Sequence, residues 1–386
     1  MAPFDPAAKP KTPLGYYRLL SPSCGLRVSP LCLGAMNYGT KWSELLGECN
    51  KEQAFAMLDA YYEMGGNFID TANAYQDEES EIWIGEWMEK RGVRDQIVLA
   101  TKYTSGYRQH AIDSELQANF SGNHAKSLHH SINASLKKLK TDYIDILYLH
   151  WWDFSTPIDE IMHALNSWVS RGKVLYLGIS DTPAWVVSQA NQYARDHGLR
   201  PFVLYQGLWS ASVRDMEREI IPMCKAQGMG IAPWGTLSRG HLRSEDERKE
   251  RNAKPEGRNQ VARPASEADI RVSKVLESIA KAKKTSVQAI ALAWIYHKTP
   301  YVFPIVGGRK VEHLRSNVEA LTISLSEEEM NTIDDASNFD PGFPMGFLLP
   351  GRYKLDYTPS DVGPLKWTVH IDSVKPPKSI APNPSE

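Results

Sequence analysis

Apolar and polar positions follow two rhythms along the chain. Short continuous apolar runs recur, such as "VLYLGIS" (Val174–Ser180) and "FVLYQG" (Phe202–Gly207). Runs of that length, without alternation, read as strands buried on both faces. Between them lie longer segments with a period of about 3.6, the mark of amphipathic helices. In one of these Leu128, Ile132, Leu136 and Leu139 share a face. Several helices start at Pro, Ser or Asp and stop near Gly, as at Gly65 and Gly198.

Taken in order, the strand runs are "LCLGAM" (Leu31–Met36), "NFID" (Asn67–Asp70), "IVLATKY" (Ile97–Tyr103), "IDILYLH" (Ile144–His150), Val174–Ser180, Phe202–Gly207, "GIAPWG" (Gly230–Gly235) and "VFPIVG" (Val302–Gly307). Each is followed by helical pattern, which makes eight strand–helix units. Eight such units predict an α/β fold of the (β/α)8 TIM-barrel type. A doubly wound sheet is the structural rival. It usually carries a Gly-rich phosphate loop after its first strand, and "LGAMNYG" has no GxGxxG.

The remaining segments flank or interrupt the barrel. Residues 1–13 read as a disordered N-terminal segment. "GYYRLLSPSCGLRVSPL" reads as a β-hairpin ahead of the first barrel strand, plugging its floor. Leu242–Pro264 is charged and lacks an apolar period, so it predicts a long surface loop, either disordered or a lid. The barrel is expected to span 14–338 as a single domain. Residues 339–386 form an irregular extension, rich in Pro and Gly, with a disordered end at "SVKPPKSIAPNPSE".

Composition narrows the function classes. The 386 residues suffice for one large barrel with a sizeable core, at 42% hydrophobic and 23% charged. The net charge of −2 offers no basic field, so neither nucleic acid nor an anionic membrane is an expected partner. The cysteines Cys24, Cys32, Cys49 and Cys224 make no CxxC pair and no metal-ligand cluster. They read as free thiols in a reducing compartment. The first residues hold no apolar run, and no stretch reaches the roughly 18 apolar residues of a membrane span. A soluble cytoplasmic protein is the expectation, with the oligomeric state, monomer or dimer, left open.

The candidate chemistry sits at the carboxyl ends of the strands, where barrels of this type place their active sites. The second strand run ends on Asp70, with Tyr75 in the following loop. The third run places Lys102 near its end, the fourth ends at His150, and the fifth at Ser180-Asp181. A phenol has a pKa of roughly 10 and needs help to give up its proton. A neighbouring Lys⁺ lowers that value electrostatically, and a carboxylate beside the Lys keeps it charged. A neutral His can donate a hydrogen bond to the same substrate oxygen. Asp70, Tyr75, Lys102 and His150 therefore make an acid system for reducing a carbonyl. Taken singly, each has a plainer reading: a packing tyrosine, a solvated strand end, a satisfied core histidine.

With these residues stand "NFIDTANAYQDEESEIWIGEWM", "LATKY", "IDILYLHWWD", "GKVLYLGISD", "YQGLWS" and "PIVGGRKVEHLRSNVEAL". Together and in this order, from about Leu14 to about Ser337, they resemble the aldo-keto reductase family. "KVLYLGISDTPAWVVSQAN" and "YVFPIVGGRKVEHLRSN" resemble its fungal aryl-alcohol dehydrogenase and norsolorinic acid reductase branch. The resemblance implies an NADPH-dependent oxidoreductase reducing an aryl aldehyde or an aromatic or polyketide ketone reversibly to the alcohol, with a general or a secondary metabolism role left open. A tailoring reductase with one narrow substrate, or an NADPH-binding redox sensor with little turnover, stand as alternatives. It implies Tyr75 as general acid, Lys102 as the group lowering its pKa, Asp70 as partner of Lys102, and His150 as the donor orienting substrate. Ser180, Gln206 and Asp181 would meet the nicotinamide, with Gly34 and Asp70 also against the cofactor. The segment Ala232, Pro233, Trp234, Gly235, Thr236, Leu237 and Ser238, with Gly240 and His241, would cradle the pyrophosphate. Either Pro233 or Trp234 would flank the ring. Gly308, Arg309, His313, Ser316 and Asn317 would hold the adenosine end. Of these, Arg309, His313 and Asn317 are spaced to share a helix face, and Arg309 suits a 2′-phosphate. Arg258 is either a second cation over the cofactor or a solvated loop charge. The aromatic residues Trp42, Tyr103, Trp151, Trp152, Trp209 and Trp234 all fall near strand ends. Trp42, Tyr103 and Trp151, with His150, are the candidates to line the substrate site.

Overall fold

A computed structural model of the chain describes residues 4–253 and 264–382. A hairpin of β1 (Arg18–Ser21) and β2 (Cys24–Val28) comes first. The barrel strands follow: β3 (Cys32–Gly34), β4 (Phe68–Asp70), β5 (Val98–Tyr103), β6 (Ile144–Leu149), β7 (Val174–Ser180), β8 (Phe202–Gln206), β9 (Gly230–Ile231) and β10 (Ile305–Gly307). Between and after them lie α1 (Ser43–Leu46), α2 (Lys51–Glu63), α3 (Glu79–Arg91), α4 (Ala125–Lys138), α5 (Ile158–Ser170), α6 (Ala184–Asp196), α7 (Ile220–Gln227), α8 (Glu245–Ala253), α9 (Glu267–Lys283), α10 (Val287–Lys298), α11 (Val311–Glu319) and α12 (Glu327–Ser337). Two short helices, α13 (Met345–Leu348) and α14 (Gly363–Lys366), belong to the C-terminal extension.

The eight barrel strands are parallel, in the order β10-β3-β4-β5-β6-β7-β8-β9. The two ends of that order meet. Phe303 N–H donates to the Ile231 carbonyl at 2.8 Å and Ile305 N–H to that of Pro233 at 2.9 Å. The sheet therefore closes on itself, as the eight strand–helix units predict. β9 is shorter than the run Gly230–Gly235 suggests. Pro233 has no N–H to continue the ladder, and Gly235 turns into the left-handed region at φ +66°.

Side chains alternate in and out along each strand. Inside lie Phe68, Val98, Ala100, Ile146, Tyr148, Leu204 and Phe303, with Leu20 and Val28 of the hairpin. The hairpin closes the amino-terminal end so tightly that a Cβ on Gly230 would fall 2.2 Å from the Leu20 carbonyl oxygen. Outside, a larger apolar layer joins strands to helices, with Leu128, Ile132 and Leu139 buried as their spacing predicts.

One expectation changes. The start of the charged segment Leu242–Pro264 is not a loop: α8 occupies Glu245–Ala253. Its start is capped reciprocally, with Glu247 N–H on Ser244 Oγ at 3.2 Å and Ser244 N–H on Glu247 Oε2 at 2.9 Å. Glu245 and Lys249 pair one turn apart at 2.9 Å. Helix signals without an apolar stripe escape a search for periodicity. Arg258 lies outside the described residues. The C-terminal extension also packs on the barrel along Leu349, Tyr353 and Leu355, which are buried. At the other end, Thr12 Oγ1 donates to the Met64 carbonyl at 2.6 Å.

The extension is anchored to a buried charge cluster. Glu217 is fully buried and accepts from Arg214 Nη2 (2.7 Å), Arg214 Nε (2.8 Å) and Trp209 Nε1 (3.1 Å), with Lys298 at 3.3 Å. Its carbonyl accepts from the Tyr353 hydroxyl at 2.8 Å. Arg214→Met would strand the Glu217 carboxylate with a weakened partner set. Urea unfolding should show a loss of about 3–5 kcal/mol. A loss under about 1 kcal/mol would mean that Lys298 and Trp209 suffice.

Candidate active site

A cavity of about 470 Å³ opens at the carboxyl end of the barrel. The inward-facing parity of the strands delivers its polar floor. Gly34 pairs with Asp70 and Asp70 with Ala100, so Asp70 and Lys102 point the same way, two residues apart in level. Lys102 pairs with Tyr148, also inward. Lys102 is fully buried, yet its ammonium is fully used. It donates to Asp70 Oδ1 at 2.5 Å, to the Thr71 carbonyl at 2.7 Å and to the Tyr75 hydroxyl at 3.3 Å. Asp70 Oδ2 accepts from Gln206 Nε2 at 2.9 Å. His150 meets the Tyr75 ring edge-on, with centroids 5.8 Å apart.

The charges settle the protonation states. Burial works against the Lys102 ammonium, but Asp70 and Tyr75 outweigh it and hold its pKa above the ordinary value. His150 is pushed well below its ordinary value, first by burial and then by Lys102, so it is neutral. Tyr75 departs from the expectation. Burial raises its pKa more than Lys102 lowers it, and Asp70 adds to the rise, so the net direction is upward. In this environment Lys102 moderates the phenol without depressing it.

Two loops are clamped together over Tyr75. Trp42 N–H donates to Gln76 Oε1 at 2.8 Å and Trp42 Nε1 to Asp77 Oδ1 at 3.0 Å. Thr40 N–H donates to Glu79 Oε2 at 2.6 Å, and Gln76 Nε2 to the Met36 carbonyl at 3.0 Å. The clamp holds the Trp42 ring edge-on to Tyr75, with centroids 6.3 Å apart. Gln76, Asp77 and Glu78 all have positive φ (55°, 49° and 83°). Each such non-Gly residue costs on the order of 1–3 kcal/mol and persists only where its surroundings insist. Behind the turn, Lys138 reaches the Asn73 carbonyl (2.9 Å), Glu81 (2.7 Å) and Glu78 (3.0 Å).

The cavity wall gathers Gly34, Ser180, Asp181, Trp234, Gly235, Thr236, Leu237 and Gly240 from the expected set. Ser180 Oγ is buried and has no hydrogen-bond partner among the described residues. Such an atom, facing a cavity, fits a polar group of a bound ligand, and an amide suits it. Trp234 lines the cavity and Pro233 does not. The Trp234 indole donates to Asp181 Oδ1 at 3.2 Å, and Arg239 lies over its ring at 5.2 Å. The Asp181 carboxyl is pushed up to about 6 by burial, against the pull of Trp234, Lys102 and Arg239.

A family profile described as "Aldo/keto reductase family" matches residues 30–338. The chain belongs to the aldo/keto reductase family. It is 56% identical over 373 residues to norsolorinic acid reductase B of Dothistroma septosporum, covering 95% of this chain and 94% of that one. It is 52% identical over 379 residues to norsolorinic acid reductase A of Aspergillus parasiticus, covering 97% and 96%. It is 52% identical over 354 residues to aryl-alcohol dehydrogenase [NADP(+)] of Phanerodontia chrysosporium, covering 90% and 91%. This aldo/keto reductase is thus an oxidoreductase on a (β/α)8 barrel. Among the described residues, no helix is long and apolar enough to cross a membrane.

Several expected site residues do not line this cavity. Ala232 is buried, and Ser238 Oγ is turned onto Asp269 Oδ1 at 2.6 Å. Gly308, Arg309, His313, Ser316 and Asn317 do not line the cavity, which reaches Ile305, Val306 and Gly307 on that side. Arg309 precedes the N-cap of α11, Lys310, so the loop and not a helix face sets its direction. Its Nη1 donates to the Glu48 carbonyl at 3.2 Å. Ser316 Oγ sits 3.1 Å from Ser286 Oγ, and His241 follows a 3-10 turn at Ser238–Gly240. Gln206 spends its amide nitrogen on Asp70.

Among the aromatic candidates, Tyr103 points away from the mouth. It is fully buried, and its hydroxyl donates to the Asn123 carbonyl at 3.2 Å. Trp209 is core, tilted on Trp294 at 5.5 Å, and Trp152 packs on the outer layer. Trp151 stays at the rim, its indole donating to Ser105 Oγ at 3.1 Å. Sequence reasoning missed Met36, Asn37, Ser105 and the clamp residue Gln76. None carries a spacing signal, because each owes its place to loop geometry.

The upward shift of Tyr75 has a spectroscopic consequence. Tyrosinate absorbance, titrated in the wild type and in Tyr75→Phe, should show no ionisation assigned to Tyr75 below about pH 10. Lys102→Met should raise its pKa further. A Tyr75 phenolate formed below pH 9 would contradict the balance of burial over Lys102.

Proposed function

We propose that the chain is an NADPH-dependent reductase that converts an aryl aldehyde, or an aromatic or polyketide ketone, reversibly to the alcohol, with Tyr75 as general acid. One observation carries the reading. The Lys102 ammonium hydrogen-bonds both Asp70 and the Tyr75 hydroxyl at the floor of a cavity that also presents a neutral His150. The relative named aryl-alcohol dehydrogenase [NADP(+)] supports both the cofactor and the substrate class. Those named norsolorinic acid reductase favour a tailoring role in secondary metabolism.

When bound, NADPH supplies a hydride to the carbonyl carbon. Ser180, with its unpartnered buried hydroxyl, and Gln206 would hold the nicotinamide amide, and Trp234 would flank the ring. Arg309 would meet the 2′-phosphate with its remaining N–H groups, which favours NADPH over NADH. Tyr75 gives its hydroxyl proton to the carbonyl oxygen as negative charge develops there. Lys102, 3.3 Å away, stabilises the phenolate left behind. Asp70 keeps Lys102 charged and fixed. His150 donates a hydrogen bond to the same oxygen and sets the approach of the carbonyl. Trp42, edge-on to Tyr75, and Trp151, at the rim beside Ser105, would meet a flat aromatic group as it approaches Tyr75.

The test is cofactor consumption over a panel of aryl aldehydes and polycyclic ketones, NADPH against NADH, beside Tyr75→Phe. NADPH-selective turnover is expected, with Tyr75→Phe slower by about 10²-fold or more and its NADPH affinity kept. Undiminished turnover in Tyr75→Phe would remove the general acid. NADPH binding without turnover on the whole panel would replace the aryl reading with a narrow substrate.

A further inference from the structure

Ser105 sits between two site residues. Its Oγ is 3.3 Å from His150 Nδ1 and 3.1 Å from Trp151 Nε1. An indole N–H can only donate, so Trp151 takes one lone pair of the serine oxygen. Two arrangements remain for His150, which carries a single ring proton. If that proton were on Nδ1, both neighbours would donate into Ser105, and the serine hydroxyl hydrogen would have no acceptor in the triad. If Nδ1 is bare, the serine donates to it, and all three groups are satisfied. The ring proton then lies on Nε2, on the opposite side of the imidazole from Ser105.

The backbone goes to some length to deliver this contact. Thr104, the residue before Ser105, is buried and β-branched, yet has φ +100°, a genuine outlier for such a side chain. It is held there by its own contacts. Thr104 Oγ1 accepts from His150 N–H at 3.2 Å, and its carbonyl accepts from Gly122 N–H at 2.8 Å. The Ser105 carbonyl accepts from Asn73 Nδ2 at 3.4 Å. Strain of this kind at a site edge points to a geometry the site requires.

We infer that Ser105 is a positioning residue: with its hydroxyl oriented by Trp151, it fixes His150 as the Nε2–H tautomer, the form that can donate to the substrate oxygen. The catalytic part of this inference rests on the carbonyl-reductase reading above. The tautomer itself does not.

Nitrogen-15 NMR of the imidazole, assigned with His150→Gln, reads the tautomer directly in the wild-type protein. Nε2–H is expected. Ser105→Ala should shift the spectrum toward a mixture with Nδ1–H, and Ser105→Thr should restore it. In turnover, Ser105→Ala should lower kcat by about 10-fold, short of the roughly 10²–10⁴-fold that complete loss of a positioned proton donor costs. NADPH affinity should not change, and Ser105→Thr should recover most of the rate. A wild-type Nδ1–H signal overturns the inference, as does an unchanged tautomer in a folded Ser105→Ala protein. If Ser105→Ala does not fold, the wild-type spectrum alone decides. If the wild-type protein neither binds nor consumes NADPH while the Nε2–H signal is present, the reductase reading fails and the tautomer assignment stands.

Discussion

A buried ammonium has to be answered by its surroundings, and the Lys102–Asp70 pair is the constraint around which this barrel is arranged. Taking both charges out of water costs several kcal/mol per ion, so the pair survives only with close geometry and further hydrogen bonds. Those are present: Thr71 and Tyr75 complete the Lys102 ammonium, and Gln206 completes Asp70. Strands β4, β5 and β8 are thereby tied across the barrel by one polar cluster. Below that cluster the interior is apolar, filled by Phe68, Ala100, Ile146 and Phe303 and closed by the hairpin. The same arrangement that makes the pair tolerable leaves Tyr75 and His150 facing the open end.

Around this fixed floor the loops are set by side chains reaching back to backbone. Gln76 and Glu79 grip the Trp42 loop, Lys138 grips the Asn73 carbonyl, and Thr104 grips the start of the segment after β6. The left-handed residues at Gln76–Glu78 and at Thr104 lie within these grips. Unfavourable dihedrals there are offset by hydrogen bonds made elsewhere in the loop. The result is a mouth whose polar groups, Tyr75 and His150 among them, are held in place against the cavity.

The electrostatics of that mouth are dominated by burial. It pushes Tyr75 and Asp181 up and His150 down, in each case toward the neutral form. Lys102 is kept charged, by Asp70 and Tyr75. A retained positive charge beside a protonated phenol suits a reaction in which negative charge appears on oxygen.

The sequence by itself determined the barrel and the polar residues of its floor. Continuous apolar runs announce strands buried on both faces, and strand ends that finish on Asp70, Lys102, His150 and Ser180 announce a shared mouth. Runs apolar on both faces carry no signal of which side chains turn inward, so the pairing of the strands was needed to put Asp70 and Lys102 on the inner face. Only the tertiary structure decided which aromatic residues face the cavity. Tyr103 follows Lys102 by one residue, so the same alternation that turns Lys102 inward turns Tyr103 outward onto Asn123. Trp209 and Trp151 lie in similar sequence surroundings, yet one is core and the other is tethered at the rim by Ser105. Helix α8 escaped because capping and charge pairs, not an apolar stripe, hold it. Arg309 missed its helix face because α11 begins after it. Residues such as Ser105 and Gln76 act through loop conformation and contacts between segments far apart in the chain. Local pattern carries no record of such contacts; folding alone brings their partners within reach.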